Sequence, residues 1–139
     1  MPQNLLKRYI ETNHFGRENK MEYTFIEPGK VEYHFTPQQK HMATATAIHG
    51  GAIAGFMDGL LGGAALTAVY EEGKVVTTVE FKINFLAPVY PEIPLKGTAQ
   101  VIYKGKSTLV VTGNIVDNQG QLIATGLGTL KSYTPMSNS

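Results

Sequence analysis

The chain has 139 residues, and we expect one domain spanning residues 1–139. A formal net charge of +1, without a long basic run, excludes the charge pattern of a nucleic-acid-binding protein and gives no reason to expect binding to a membrane. The absence of cysteine excludes disulfides and thiolate nucleophiles, and since no pair of histidines has metal-ligand spacing with a carboxylate, we expect no metal site.

The first part of the chain predicts a short helix and a β-hairpin. Apolar residues at helical spacing predict an amphipathic helix over about residues 4–12. Two extended runs, 21–26 and 31–35, flank a Pro-Gly turn at 27–30 and are therefore expected to pair. The polar stretch 36–48 has no clear periodicity and is expected to be a loop.

A glycine-rich, charge-poor segment follows. Between residues 41 and 70 the only formally charged side chain is Asp58. Residues 50–70 could imitate a membrane span, but Asp58 near the bilayer centre would cost about 2.5 to 3.5 kcal/mol, so we expect the central helix of a soluble domain. Residues 1–20 do not resemble a secretory signal, and a cytoplasmic protein is expected. Missing side chains would let another backbone or a slender ligand approach one side of this helix, along Gly51, Gly55, Gly59 and Gly63.

The remainder of the chain predicts four strands. The first should alternate, with Val79, Phe81, Ile83 and Phe85 on its buried face and Thr78, Glu80, Lys82 and Asn84 on the other. Further strands are predicted over about 93–103, 107–116 and 121–133, followed by a frayed tail at about 134–139. The expected architecture is α+β, an antiparallel sheet of five or six strands around one long helix.

His49, Gly50 and Gly51 stand where the long helix is expected to begin. The first amides of a helix lack intrahelical acceptors and carry the positive end of its dipole, so they suit a carbonyl oxygen that becomes an oxyanion. The simpler alternative is that the glycines only let a loop turn into the helix.

Asp58 lies inside the same helix, among apolar neighbours. A buried carboxylate costs several kcal/mol unless it is hydrogen-bonded or faces a ligand or a cleft. Asp58 can act as a nucleophile or as a general base on water. The structural alternative is an aspartate held by a neighbouring strand or by a second subunit.

The spacing between these two features indicates a shared site. Gly50 and Asp58 are eight residues apart, which is about 12 Å along a helix. An oxyanion donor and a base must both lie about 3 Å from one reacting carbon. If both serve one site, Asp58 of one chain must meet Gly50 or Gly51 of another, as at a twofold interface.

Three sequence motifs resemble a known family. The run 49–58 (HGGAIAGFMD), the run 79–88 (VEFKINFLAP) and the turn 105–107 (GKS) are similar to the hotdog-fold acyl-CoA thioesterases of the PaaI-like, phenylacetate-degradation group. The likeness covers about residues 36–131. It implies a homodimer, often paired into a homotetramer, that hydrolyses an acyl-CoA thioester at the dimer interface. Coenzyme A would be part of the substrate, with no separate cofactor.

The resemblance also implies roles for individual residues. Backbone amides of Gly50 and Gly51 would polarise the thioester carbonyl, and His49 would shape the start of the helix. Asp58 would attack the carbonyl or activate water. Thr78 occupies the place of a Ser or Thr that helps to hold the water in related proteins.

One position departs from the family pattern. Many relatives carry an Asn six residues before the histidine, where this chain has Ala43. His41, Thr44 and Thr46 are nearby polar residues that nothing in the sequence identifies as substitutes. Thr77 is the neighbour that Thr78 could be confused with.

For the coenzyme A end of the substrate, we expect Lys104 and Lys106, which flank Gly105, to meet phosphates at a hairpin tip. Lys82 and Asn84 are further candidates on the polar face of their strand. The alternative for each is a solvated side chain at a turn or on an exposed face.

Two other functions stay open. Ala43 raises the possibility of a non-catalytic acyl-CoA-binding or regulatory hotdog protein. An enoyl-thioester hydratase is the other alternative, although the spacing of His49 and Asp58 fits that chemistry poorly.

Overall fold

The computed structural model describes residues 2–136, which form one antiparallel sheet with a long helix packed against it. The helices are α1 (Pro2–Thr12), α2 (His14–Glu18) and α3 (Gly50–Val69), with 3₁₀ turns at Gln39–His41 and Tyr70–Glu72. The strands are β1 (Glu22–Glu27), β2 (Lys30–Phe35), β3 (Val75–Phe85), β4 (Leu95–Lys104), β5 (Thr108–Val116) and β6 (Leu122–Tyr133). Their order is β1-β2-β4-β5-β6-β3. The expected α+β architecture is confirmed, with six strands around α3.

The N-terminal region contains one helix more than the sequence pattern indicates. Helix α1 covers the predicted amphipathic segment, and α2 follows it directly. Asn13 caps α2, because its side-chain oxygen accepts the Gly16 N–H at 3.2 Å. At the other terminus, residues 134–136 have no regular structure, and residues 137–139 of the predicted tail lie outside the described residues.

Helix α3 is the core of the domain. Phe56, Met57 and Leu60 are fully buried. Among residues 2–136, α3 and the turn that follows it form the one helical segment long and apolar enough to cross a membrane. Because 67% of its most apolar window is buried inside the protein, its apolar surface is covered by the domain itself.

Aromatic rings cover the glycine row of α3. The pairs in contact are Gly55 with Phe15, Gly59 with Tyr33, and Gly63 with Tyr23. A Cβ on Gly59 would lie 2.8 Å from a ring carbon of Tyr33, which is too close for any side chain. The space predicted for another backbone is therefore occupied by side chains of the same chain, from α2, β1 and β2.

Strand β3 departs from simple alternation. Its pairing with β6 is irregular between Thr78 and Glu80, which is a β-bulge at Val79. Thr78 is thereby paired with the buried Leu130, on the same side of the sheet as Phe85, which pairs with the buried Ala124. The predicted faces are thus wrong at this end of the strand: Thr78 faces the helix, and Val79 is 60% exposed.

Candidate active site

The bulge in β3 places Thr78 against the carboxylate of α3. The Thr78 hydroxyl donates a hydrogen bond of 2.8 Å to Asp58 Oδ1. Asp58 is partly buried, so the carboxylate is neither sealed in the core nor fully solvated. The adjacent Thr77 is exposed and makes no such contact with Asp58. The structure therefore brings Asp58 and Thr78 together, and the second carboxylate oxygen can accept a proton or orient a water.

A cavity of about 350 Å³ opens beside this pair. Its floor is the face of α3 that carries Asp58, and its opposite side is closed by the N-terminal helices. The lining residues outside the Asp58–Thr78 pair are Tyr9, Asn13, Phe15, Tyr33, Gly55, Gly59, Gly62, Val76 and Leu130. None of the lining residues is basic, so Asp58 is the charged group of this cavity.

Tyr9 lies close enough to Asp58 to respond to its charge. Burial is the main cause that raises the pKa of the Tyr9 hydroxyl, and the Asp58 carboxylate raises the pKa further. The Tyr9 phenol therefore stays neutral over a wide pH range and presents an uncharged polar group to the cavity.

At the start of α3, the structure distinguishes the two glycine amides. His49 is the N-cap, and its Nδ1 accepts the Gly51 N–H at 2.8 Å. The Gly50 N–H has no acceptor among residues 2–136, and Gly50 is exposed. Because His49 Nδ1 is an acceptor, the neutral ring carries its proton on Nε2. The helix start thus offers the Gly50 amide to a ligand, while the Gly51 amide is already bonded.

The polar residues near Ala43 are used within the chain. His41 Nδ1 accepts the Gln38 N–H at 2.8 Å, and its Nε2 pairs with Asn19 at 2.6 Å. Burial, reinforced by the neighbouring Lys40 charge, lowers the pKa of His41. Both ring nitrogens are therefore occupied in holding the loop, and His41 does not take the place of the missing asparagine.

Thr44 has a similar structural role. Its hydroxyl accepts the N–H groups of Thr46 and Ala47, at 3.3 and 3.0 Å. Ala43 itself is exposed, and its N–H donates to the Ala47 carbonyl at 2.9 Å. The segment before His49 is consequently a tight turn held by its own backbone.

Residues predicted for the coenzyme A end lie in two other places. Lys82 and Asn84 are exposed on the outer face of β3. Lys104 donates to the Ala68 carbonyl at 3.0 Å and forms an ion pair with Glu72, so it neutralises the C-terminal end of α3. The hydrogen bond from Lys104 to the Glu72 carboxylate is the main cause that lowers the pKa of Glu72.

The hairpin tip after β4 is compact. The Gly105 N–H donates to the Thr108 carbonyl at 2.7 Å, and a Cβ on Gly105 would lie 2.9 Å from the Tyr103 hydroxyl. Lys106 follows on the turn and is exposed. Lys106 is thus available to a ligand, whereas the ammonium group of Lys104 already has two partners.

The sequence gives little sign of the cavity walls. Tyr9, Asn13 and Phe15 lie in or between the N-terminal helices and reach across to α3. The apolar stripe of α1 is the one sequence feature which indicates that the N-terminal helices pack against the rest of the domain. Among the described residues, no group of three or more His, Asp or Glu side chains could hold a metal ion.

Comparison with known proteins identifies the family of the chain. The family model described as "Thioesterase superfamily" matches residues 46–124, a span that contains the start of α3, Asp58 and Thr78. A candidate esterase of Saccharolobus solfataricus is 30% identical over 129 residues, which cover 93% of this chain and 81% of that protein.

Two solved structures show the same fold. The PaaI protein of E. coli, from the phenylacetic acid degradation operon, has a TM-score of 0.85 at 23% identity, covering 94% of this chain and 91% of that chain. A Streptococcus mutans protein solved with acetyl CoA has a TM-score of 0.75 at 20% identity, and the match covers 84% of this chain and 91% of that chain. With its hotdog architecture and a family match over more than half of its length, the chain belongs to the thioesterase superfamily.

Proposed function

We propose that this protein is an acyl-CoA thioesterase whose site is shared between two copies of the chain. The observation that carries the proposal is the hydrogen bond of 2.8 Å from Thr78 to Asp58 at the wall of an otherwise uncharged cavity. A carboxylate in that position is available for chemistry, because its neighbours orient it without neutralising it.

The reaction needs few groups. Asp58 accepts a proton from water while the water oxygen attacks the thioester carbonyl carbon, and Thr78 orients the carboxylate. The Gly50 amide stabilises the oxyanion that forms. Collapse of the tetrahedral intermediate breaks the C–S bond, and the proton passes from Asp58 to the sulfur, so that a carboxylic acid and the free thiol of coenzyme A leave. If Asp58 attacks the carbonyl carbon instead, the C–S bond breaks as the mixed anhydride forms, and the coenzyme A thiolate leaves and takes a proton from water. Water then cleaves the anhydride, which releases the carboxylic acid and returns the Asp58 carboxylate and one proton.

One protomer does not bring these groups together. The observed helix runs continuously from Gly50 through Asp58, so they are about 12 Å apart along its axis. A second copy can supply the missing half of each site.

Strand β3 offers the surface for that second copy. It is an edge of the sheet, and its apolar residues Val79 and Phe85 are 60% and 54% exposed. An exposed apolar edge strand has unpaired backbone groups and is a template for pairing with another chain.

The contacts of β3 also suggest the register of such a pairing. Thr78 bonds to Asp58, and Phe85 lies over the start of α3, with a ring carbon 3.6 Å from the Cβ position of Gly50. In an antiparallel pair about a twofold axis at Lys82, with the bulged Val79 left unpaired, Thr78 of one protomer faces Phe85 of the second. Asp58 of one protomer then approaches Gly50 of the second, which is the arrangement that the reaction needs.

Coenzyme A as the carrier of the acyl group is supported by the fold neighbour solved with acetyl CoA. In this chain, exposed Lys106 and Lys82 are the cations best placed to meet its phosphates, with Asn84 beside Lys82. Lys104 is a weaker candidate, because Glu72 already binds it.

The test is hydrolysis of a panel of acyl-CoA esters, followed with a thiol reagent. We expect turnover by the natural protein and a loss of at least about a hundredfold in kcat for Asp58→Asn, since a general base typically contributes that much. Glu18→Gln removes an exposed carboxylate of the same charge and is the control.

The alternatives give different results. Saturable binding of acyl-CoA esters without turnover would identify a binding or regulatory protein, and a hydroxyacyl product from an enoyl-CoA would identify a hydratase. If Asp58→Asn hydrolyses every ester as fast as the natural protein, the proposed role of Asp58 is wrong. In a single turnover in heavy-oxygen water, label in Asp58 identifies the nucleophilic mechanism, because cleavage of the anhydride at the aspartyl carbon leaves solvent oxygen in the carboxylate, whereas general-base catalysis puts it only in the product.

A further inference from the structure

We infer that the cavity beneath Tyr9 holds the acyl group and that Gly62 and Val76 limit its length, so that the substrates are thioesters of compact, uncharged acyl groups. This inference rests on the proposed function. It assigns a specificity role to a helical glycine and a strand valine that touch neither the thioester nor coenzyme A.

The volume of the cavity limits the size of the acyl group. Its volume is about 350 Å³, and one wall is formed by the N-terminal helices through Tyr9, Asn13 and Phe15. For comparison, an apolar protein cavity of about 150 Å³ holds a benzene molecule. The space therefore suits acyl groups of moderate size, and the residues at its far end determine how long they can be.

Among the glycines of α3 that form the floor of the cavity, Gly62 lies at the end that points away from Gly50. Gly55 and Gly59 also line the cavity, but a Cβ at either would lie 2.8 Å from an aromatic ring carbon, so neither position accepts a side chain. Gly62 is one helical turn beyond Asp58, and a Cβ there would meet only the Tyr9 hydroxyl, at 3.7 Å. A methyl group at Gly62 would thus project into the cavity without a clash.

Val76 bounds the same end from the sheet. It lies two residues before Thr78, on the same inner face of β3, and it lines the cavity. Because β3 runs antiparallel to α3, with Thr78 beside Asp58 and Phe85 beside Gly50, Val76 lies toward Gly62. Gly62 and Val76 therefore face the part of the acyl group farthest from the thioester.

The polar groups of the cavity limit the charge of the acyl group. The Tyr23 hydroxyl donates to the Gly59 carbonyl at 2.6 Å, so in the contact of 3.3 Å between Tyr9 and Tyr23 the donor must be Tyr9. The Tyr9 oxygen is left with lone pairs only. With an acceptor at this end, a carboxylate at Asp58 and no basic lining residue, the cavity disfavours an acyl group that carries a negative charge.

The experiment compares kcat/KM for butyryl-, octanoyl-, palmitoyl- and succinyl-CoA in the natural protein and three variants. The natural protein should prefer octanoyl-CoA to palmitoyl- and succinyl-CoA. Gly62→Ala should lower the octanoyl-to-butyryl ratio by about tenfold, because an acyl methylene without space costs that much in a pocket. Val76→Ala should shift the preference the other way, toward longer chains, while Val110→Ala, which removes the same atoms from a strand position outside the cavity, should leave the ratio unchanged.

The outcomes separate the inference from the proposed function. If the natural protein hydrolyses none of the esters, the thioesterase proposal fails. If it hydrolyses them but Gly62→Ala and Val76→Ala leave the chain-length ratio unchanged, or palmitoyl- or succinyl-CoA is the best substrate, the acyl cavity is wrong and the thioesterase proposal stands. Circular dichroism of each variant shows whether the fold is retained.

Discussion

At the scale of single residues, the contact between Asp58 and Thr78 depends on one irregularity in the backbone. Because Thr78 and Phe85 are seven positions apart, regular alternation would place them on opposite faces of β3. The bulge at Val79 puts both on the inner face, where one touches Asp58 and the other lies over Gly50. A bulge beside an active site commonly re-aims a side chain in this way.

Replacing Thr78 tests the value of that contact. Thr78→Val keeps the shape and removes the hydroxyl, and we expect kcat to fall about ten- to a hundredfold, since a hydrogen bond to a charged group contributes about 1.5 to 3 kcal/mol. Thr78→Ser should restore most of the loss. The control is Thr77→Val, on the exposed neighbour. An equal loss in Thr77→Val, or no loss in Thr78→Val, would contradict the assigned role.

Sequence reasoning at this scale named Asp58 and Thr78 as candidates but did not predict how the backbone brings them into contact. The hydrophobic pattern predicted β3, yet it placed Thr78 on the polar face, because a bulge leaves no mark in an alternating pattern unless a glycine signals it. The N-capping of α3 by His49 was likewise hidden: sequence alone could not show that His49 occupies the Gly51 amide and leaves the Gly50 amide open.

At the scale of elements, α3 is stabilised by rings that pack on its glycines. The Tyr33 ring stacks on Tyr23 at a centroid distance of 3.9 Å and on Phe56 at 5.1 Å. Tyr33 is 1% exposed, so it has no room to move away from α3. This packing offsets the low helix propensity of glycine, which costs up to about 1 kcal/mol at each interior position.

Two glycine substitutions in the same helix should therefore have opposite effects on stability. Gly59→Ala places a methyl group against Tyr33 and should lower the free energy of unfolding by about 1 to 3 kcal/mol, the usual cost of overpacking. Gly62→Ala meets no close neighbour and should raise it by up to about 1 kcal/mol through helix propensity. Chemical denaturation of both variants measures the difference. Equal effects would show that the rings do not determine where α3 tolerates a side chain.

The elements were the most predictable part of the molecule. Periodicity located α1 and β3, the apolar and charge-poor run located α3, and extended runs bounded by turn residues located the other strands. The cavity walls were not predictable, since Phe15 and Asn13 belong to or flank a helix of only five residues, too short to show a periodic pattern.

At the scale of the whole molecule, the proposed reaction depends on a second copy, because Gly50 and Asp58 are separated within one chain. Each copy would then contribute the Asp58 half of one site and the Gly50 half of the other. Sequence arithmetic predicted this requirement, but it could not show which surface pairs. The exposed edge strand β3 is the surface that we propose for this pairing.

Mixing two inactive variants tests the shared site. Gly50→Pro removes the amide donor at the first helical position, where proline is tolerated, and Asp58→Ala removes the carboxylate. Each homodimer should be inactive. In an equal mixture half of the dimers are heterodimers with one intact site of two, so activity should return to about a quarter of the natural level. Gly50→Ala, which keeps the N–H, is the control; verified heterodimers without activity would contradict a shared site.

The stacked pair Tyr23 and Tyr33 has a practical consequence for studies of this protein. The chain has no tryptophan and seven tyrosines, so its near-ultraviolet optical activity comes from tyrosine and phenylalanine. Rings fixed in a folded core dominate such spectra, because mobile rings average out. Tyr33 is fixed in that stack and also lines the cavity. A molecule that enters the cavity should perturb this signal, which provides an unlabelled optical titration for ligands that are never turned over.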